Sequence, residues 1–145
     1  MIPISFPEPK FNIKERNSKQ YIFDPLRKSW LLLTEEEWVR QNFVNYLING
    51  LHYPATVIAL EKGIQLYGLK KRFDVLVYNK DFLPWMLIEC KKPGVRLNEE
   101  ALQQALRYNI SVSVPYIIIT NGDKTIGWRK VEQQLELLNA VPAWS

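Results

Sequence analysis

The stretch RFDVLVYNKDFLPWMLIECKKP, from Arg72 to Pro93, constrains the fold of this chain more than any other. Two apolar, β-branched runs flank a short segment centred near Phe82, the pattern of a β-hairpin. A strand that reads Met86, Leu87, Ile88 belongs in a core, yet it continues into Glu89, Cys90, Lys91 and Lys92. Opposite charges two residues apart at the end of a half-buried strand need an explanation.

The rest of the sequence surrounds this hairpin with both helix and strand patterns. Residues 1–18 carry Pro3, Pro7 and Pro9 among charges and read as an extended N-terminal arm with little structure of its own. YIFDPLRKSWLLL reads as two short extended pieces around the Asp24-Pro25 turn signal. Thr34 and Glu37 form a capping box, and Val39, Phe43, Tyr46 and Leu47 recur at helical spacing until Gly50. ATVIALEKGIQLYG is strand-like, Asn98 to Asn109 reads as a second helix with Leu102, Ala105 and Leu106 inward, and PYIIITNG is an apolar strand closed by a turn signal. The expected order is helix, three strands, helix, strand.

Composition narrows the function. With 145 residues and 47% hydrophobic content, residues 1–145 fit one domain with a real core. The single cysteine cannot form an intramolecular disulfide and no signal-peptide pattern opens the chain, so a reduced, cytoplasmic protein is expected. No apolar run has the length of a membrane span. The net charge of +4 and pI near 9.2 permit a polyanionic partner without demanding one. The lone histidine, His52, excludes a two-histidine zinc site, and its place at a helix exit suits a structural role. GIQLYGLKK imitates a phosphate-binding loop, but no Ser or Thr follows the lysine and no helix pattern begins there.

The hairpin can then be read for geometry. Side chains alternate along a strand, so Glu89 and Lys91 share a face with Leu87, while Ile88 and Cys90 take the other. Pairing around a loop near Phe82 brings Asp74 opposite the 89–91 end, and a slip of one residue would turn it away. Two adjacent carboxylates call for a cation between them, and magnesium, which also accepts phosphate oxygens, suits phosphodiester cleavage. Lys91 could hold the attacking water or offset charge on phosphorus. The competing explanation is a strand end emerging into solvent with Glu and Lys weakly paired. Neighbouring signals favour a site: Glu61 ends the preceding strand, and Gln104 and Tyr108 lie i, i+4 on one helix. Lys70, Lys71, Arg72, Lys92 and Arg96 bracket the hairpin as candidate phosphate contacts.

At these residues the sequence resembles the PD-(D/E)XK nuclease superfamily and, within it, the N-terminal nuclease domain of the type I restriction enzyme R subunit and its small stand-alone relatives. The resemblance runs from DPLRKSWLLLTEEEWVRQ through KRFDVLVYN, LIECKKP and QQALRYN to PYIIITNG. It implies that Asp74 and Glu89 hold the metal with the Cys90 carbonyl, and that Lys91 is the catalytic lysine. It also implies that Gln104 and Tyr108 form a downstream Gln-x-x-x-Tyr motif, and that Glu36 or Glu37 supplies a helix glutamate. Phe73 stands where the family has proline before the aspartate. The implied fold is an α/β restriction-endonuclease-like core, a central mixed sheet flanked by helices. The implied activity is Mg2+- or Mn2+-dependent DNA cleavage. No helicase motor fits in this length, so a motor or specificity protein is expected from another chain, and a homodimer is left open. A silent nucleic-acid-binding or scaffold module, or an RNA nuclease, are the alternatives.

Overall fold

The apolar runs that suggested strands do pair with one another. In the computed structural model the described residues are 1–66, 69–101, 103, 104, 107 and 114–145, and of residues 62–66 and 69–72 the backbone alone is described. The chain forms an α/β fold from an antiparallel three-stranded sheet, a mixed six-stranded sheet and a few helices. The small sheet contains β1 (Ile13–Arg16), β2 (Lys19–Asp24) and β3 (Ser29–Leu32), and helix α1 (Glu35–Asn45) follows it. The large sheet runs β4 (Ile58–Leu66), β5 (Leu69–Tyr78), β6 (Pro84–Cys90), β7 (Tyr116–Thr120), β8 (Thr125–Val131) and β9 (Gln134–Leu137), in that spatial order.

One connection sets the architecture. β6 and β7 pair in parallel, whereas the other neighbours in both sheets are antiparallel. A parallel pair needs a crossover, and residues 99–101, 103, 104 and 107 within it are helical. Asn98 caps this turn, its Oδ1 accepting from the Glu100 amide at 3.1 Å. The expected inward stripe Leu102, Ala105 and Leu106 lies outside the described residues, as does Tyr108.

Strand alternation divides the core between the two faces of the large sheet. Val75, Val77, Met86, Ile88, Cys90 and Ile118 pack toward α1 with Val39, Phe43 and Leu47, all buried. Leu76, Leu87, Ile117 and Ile119 pack on the opposite face with Ala101, Val114 and Trp128. Both faces are covered, which explains the near-continuous apolar runs of β6 and β7.

Thr34 caps α1 as its sequence suggests, its hydroxyl accepting from the Glu37 amide at 3.0 Å. The Glu37 carboxylate, by contrast, hydrogen-bonds Arg27, Arg40 and Gln41. The helical path continues as a π-helical turn over Tyr46–Gly50, and His52 follows in the left-handed region with φ 62°. The N-terminal segment is extended only over residues 1–12, and it is anchored: the Ile2 amide donates to the Thr125 carbonyl at 2.8 Å and Ile2 is buried. Residues 13–16 form β1, because Asn17 and Ser18 both take positive φ and close a two-residue hairpin with β2. β1, β8 and β9 extend the expected element order.

Candidate functional site

The hairpin register follows the sequence reading up to its last charged residues. Val75 pairs with Ile88, Leu76 with Leu87 and Val77 with Met86, and the β5–β6 pairs end at Val75 and Ile88, one residue before Asp74 and Glu89. Alternation in β5 then breaks. Phe73 packs with Leu76 on the crossover-helix face, three residues apart rather than two, and Asp74 turns toward α1. Its Oδ1 accepts from Arg40 Nη2 at 3.1 Å and its Oδ2 from the Cys90 amide at 2.8 Å. Glu89 pairs instead with Lys91, whose Nζ lies 3.4 Å from Oε1. The two carboxylates thus pair with different cations, Asp74 with Arg40 and Glu89 with Lys91.

Arg40 is the residue that the sequence reading missed. It stands one turn after Glu36 and Glu37 on α1, with Nη2 3.1 Å from Glu36 and Nη1 2.7 Å from Glu37. Glu61 approaches the same Nη2 at 3.4 Å. Glu61 sits inside β4 yet has φ 47°, and the β4–β5 pairing skips it between Leu60↔Val75 and Lys62↔Phe73. A non-glycine residue in the left-handed region of a strand re-aims its side chain, here toward α1. Arg27, from the turn after β2, adds bonds to Asp24 and Glu37 and reaches Glu61 at 3.7 Å. Five carboxylates, from Asp24, Glu36, Glu37, Glu61 and Asp74, thus surround two guanidiniums.

Burial opposes the charge on Arg40, but Glu37 and Asp74 outweigh it and hold its pKa above the ordinary arginine value. Burial likewise pushes the Cys90 thiol well above its usual range, with Asp74 adding to the effect. Cys90 is therefore a protonated core residue at neutral pH, and the group it can offer a metal is its backbone carbonyl. Among the described residues no three His, Cys, Asp or Glu side chains are gathered as a metal cage. The donor chemistry still suits a hard divalent cation: the acids outnumber the guanidiniums, and Asp74 and Glu89 are carboxylates with partly exposed side chains.

Two clefts flank these groups. One, of about 580 Å3, is lined by Arg27, Leu32, Glu36, Arg40, Glu61 and Lys92 among others. The second, of about 600 Å3, brings Lys91 together with Arg96, Gln104 and Arg107. The candidate phosphate contacts thus divide, with Lys92 on the α1 side and Arg96 on the crossover-helix side. Arg107, which the sequence reading passed over, joins Arg96. Lys70, Lys71 and Arg72 are placed on β5 by their backbone, and their side chains lie outside the described residues, as does Tyr108 entirely.

Residues 35–142 match the family described as Type I restriction enzyme R protein N terminus. The match covers most of the chain, and the protein belongs to that family. Membership ties it to restriction enzymes and to a nuclease-related role. No curated protein sequence matches the chain. No helix among the described residues is long and apolar enough to cross a membrane.

Proposed function

We propose that this chain is a magnesium-dependent DNA endonuclease domain of the PD-(D/E)XK type. The observation that supports the reading is the bond from the Cys90 amide to the Asp74 carboxylate, 2.8 Å, which ties Asp74 to the strand end where Lys91 lies 3.4 Å from Glu89, in a member of a restriction-enzyme family. Asp74, Glu89 and the Cys90 carbonyl are the groups that would hold Mg2+ or Mn2+. Such an ion polarises a phosphoryl oxygen and neutralises charge at phosphorus. Lys91 orients the attacking water and offsets negative charge on the phosphate. Gln104, which shares a cleft with Lys91, can donate and accept, and so orients Lys91 or a phosphate oxygen. Arg40 and the Cys90 amide fix the rotamer of Asp74 from two sides. Lys92 and Arg96 receive phosphates without reading bases. A motor or specificity protein from another chain, and a cytoplasmic setting, complete the proposal.

One observation favours a second reading. Arg40 already neutralises Asp74, as it would in a nucleic-acid-binding module that no longer cuts. Incubation of the purified chain with supercoiled, linear and single-stranded DNA and with RNA, in magnesium, manganese or chelator, separates the two. Metal-dependent DNA cutting that Lys91→Ala abolishes supports the endonuclease. Binding without cutting under every metal supports the module, and cutting confined to RNA reassigns the substrate.

A further inference from the structure

The small sheet presents a surface that the nuclease reading does not use, and it precedes the family-matched residues 35–142. Strand pairing sorts its side chains by face. Ile13, Ile22 and Leu31 align on one face, where Ile22 is fully buried. Lys14 pairs with Tyr21 and Tyr21 with Leu32, Arg16 pairs with Lys19, and Phe23 pairs with Trp30, all on the other face. That outer face therefore carries Tyr21, Phe23 and Trp30 interleaved with Lys14, Arg16 and Lys19, and no carboxylate. Trp30 is 40% exposed and Leu32 47%, and the three cations are exposed.

The rings are organised rather than scattered. Phe23 and Trp30 meet edge to face with centroids 5.4 Å apart, and the Lys14 ammonium lies 4.2 Å from the Trp30 ring centroid. The Lys14 ammonium covers one face of the indole through its π-system, a contact of modest strength at an exposed site. Arg16 and Lys19 flank the Asn17-Ser18 turn and extend the positive charge to the tip. Leu32, with Leu31 beside it, also lines the cleft of Arg40, Glu61 and Lys92, so the end of β3 borders that cleft.

We infer that the outer face of β1, β2 and β3 binds single-stranded nucleic acid, with bases stacking on Trp30 and its aromatic neighbours and phosphates on Lys14, Arg16 and Lys19. The partner's chemistry follows from the pairing of flat apolar rings with cations. A duplex hides its base faces, and an acidic peptide offers charge without planar rings to stack. A single strand offers both at every nucleotide. On binding, Lys14 exchanges the Trp30 ring for a phosphate and frees the indole for a base. None of the residues named on this face belongs to the Asp74, Glu89 and Lys91 group, so the binding can be measured in chelator, without cleavage.

The test is fluorescence anisotropy of the full chain with labelled oligo(dT), oligo(U) and a duplex of equal length, in chelator, across a salt series. We expect single strands to bind, with affinity falling as salt rises. Trp30→Ala should weaken single-strand binding by roughly 5-fold to 100-fold while leaving duplex binding unchanged. Lys14→Gln with Arg16→Gln should flatten the salt slope, by about 0.7 for each phosphate left without its cation. Comparison of oligo(dT) with oligo(U) identifies the sugar preferred. Absence of single-strand binding by the wild type overturns the inference, as does wild-type affinity in a folded Trp30→Ala protein, the result expected if this face docks another protein. Should Trp30→Ala fail to fold, an unchanged salt slope in the Lys14, Arg16 double variant overturns it equally.

Discussion

Replacing Arg40 with methionine keeps most of the side-chain volume and deletes the guanidinium that joins α1 to β4 and β5. Arg40 is 4% exposed and lies within 3.4 Å of Glu36, Glu37, Glu61 and Asp74. Removing one partner of a buried ion pair costs about 3–5 kcal/mol, because the other charge is left in a poorly solvated site. Two features pull the value to the low end. Glu37 keeps Arg27 at 2.8 Å and Gln41 at 3.1 Å, and Asp74 keeps the Cys90 amide at 2.8 Å. We therefore expect a loss of about 3 kcal/mol, which for a domain of this size lowers Tm by roughly 6–12 °C. Thermal unfolding followed by circular dichroism in chelator measures it, and urea midpoints check it. The pH dependence follows from the raised pKa of Arg40. A cation whose folded pKa exceeds its unfolded value contributes fully below the unfolded value and is lost only as pH rises through the folded one. Arg40 itself therefore adds no slope to the penalty between about pH 6 and 9. A Tm within about 2 °C of wild type would refute the view that Arg40 ties these elements together.

Lys91→Ala should cut cleavage by roughly 100-fold or more, while its 3.4 Å pair with Glu89, one-third exposed, holds the stability loss below about 1 kcal/mol. Single-turnover kinetics beside a melting curve check both. Cys90 should resist iodoacetamide at about pH 8 in the folded protein and react fully in urea, since burial raises its pKa; mass spectrometry reads the outcome. Charge reversal of Lys92 and Arg96 together should weaken DNA binding and reduce its salt slope, by about 0.9 for each duplex phosphate they neutralise. An unchanged slope would return both residues to solvated strand and loop ends.

What the sequence disclosed was mostly local. Short apolar, β-branched runs bounded by turn signals were enough for β5, β6 and β7, and the Thr34 cap with the Val39, Phe43, Leu47 stripe was enough for α1, because these signals lie within a turn or a strand. β1 was hidden because its side chains are all exposed and show no alternation, while its pairing depends on the left-handed Asn17-Ser18 turn. The placement of Asp74 was half legible. The hairpin register could be counted, but the phase break at Phe73 and the left-handed Glu61 arise where β4, β5 and α1 meet. Arg40 was out of reach for the same reason: its bond to Asp74 spans 34 residues, and an arginine after two glutamates reads as an ordinary helix-surface pair.

The central claim, that Asp74 and Glu89 form one cation site beside Lys91, is most directly tested by calorimetric titration of Mn2+ and Mg2+ into the metal-free chain and into an Asp74→Asn, Glu89→Gln variant. These replacements keep shape and remove charge, and circular dichroism confirms that the variant folds. The account predicts saturable binding by the wild type, with a rise in Tm as the ion is added, and loss of both in the variant. Equal heats and equal Tm shifts in the two proteins would contradict it.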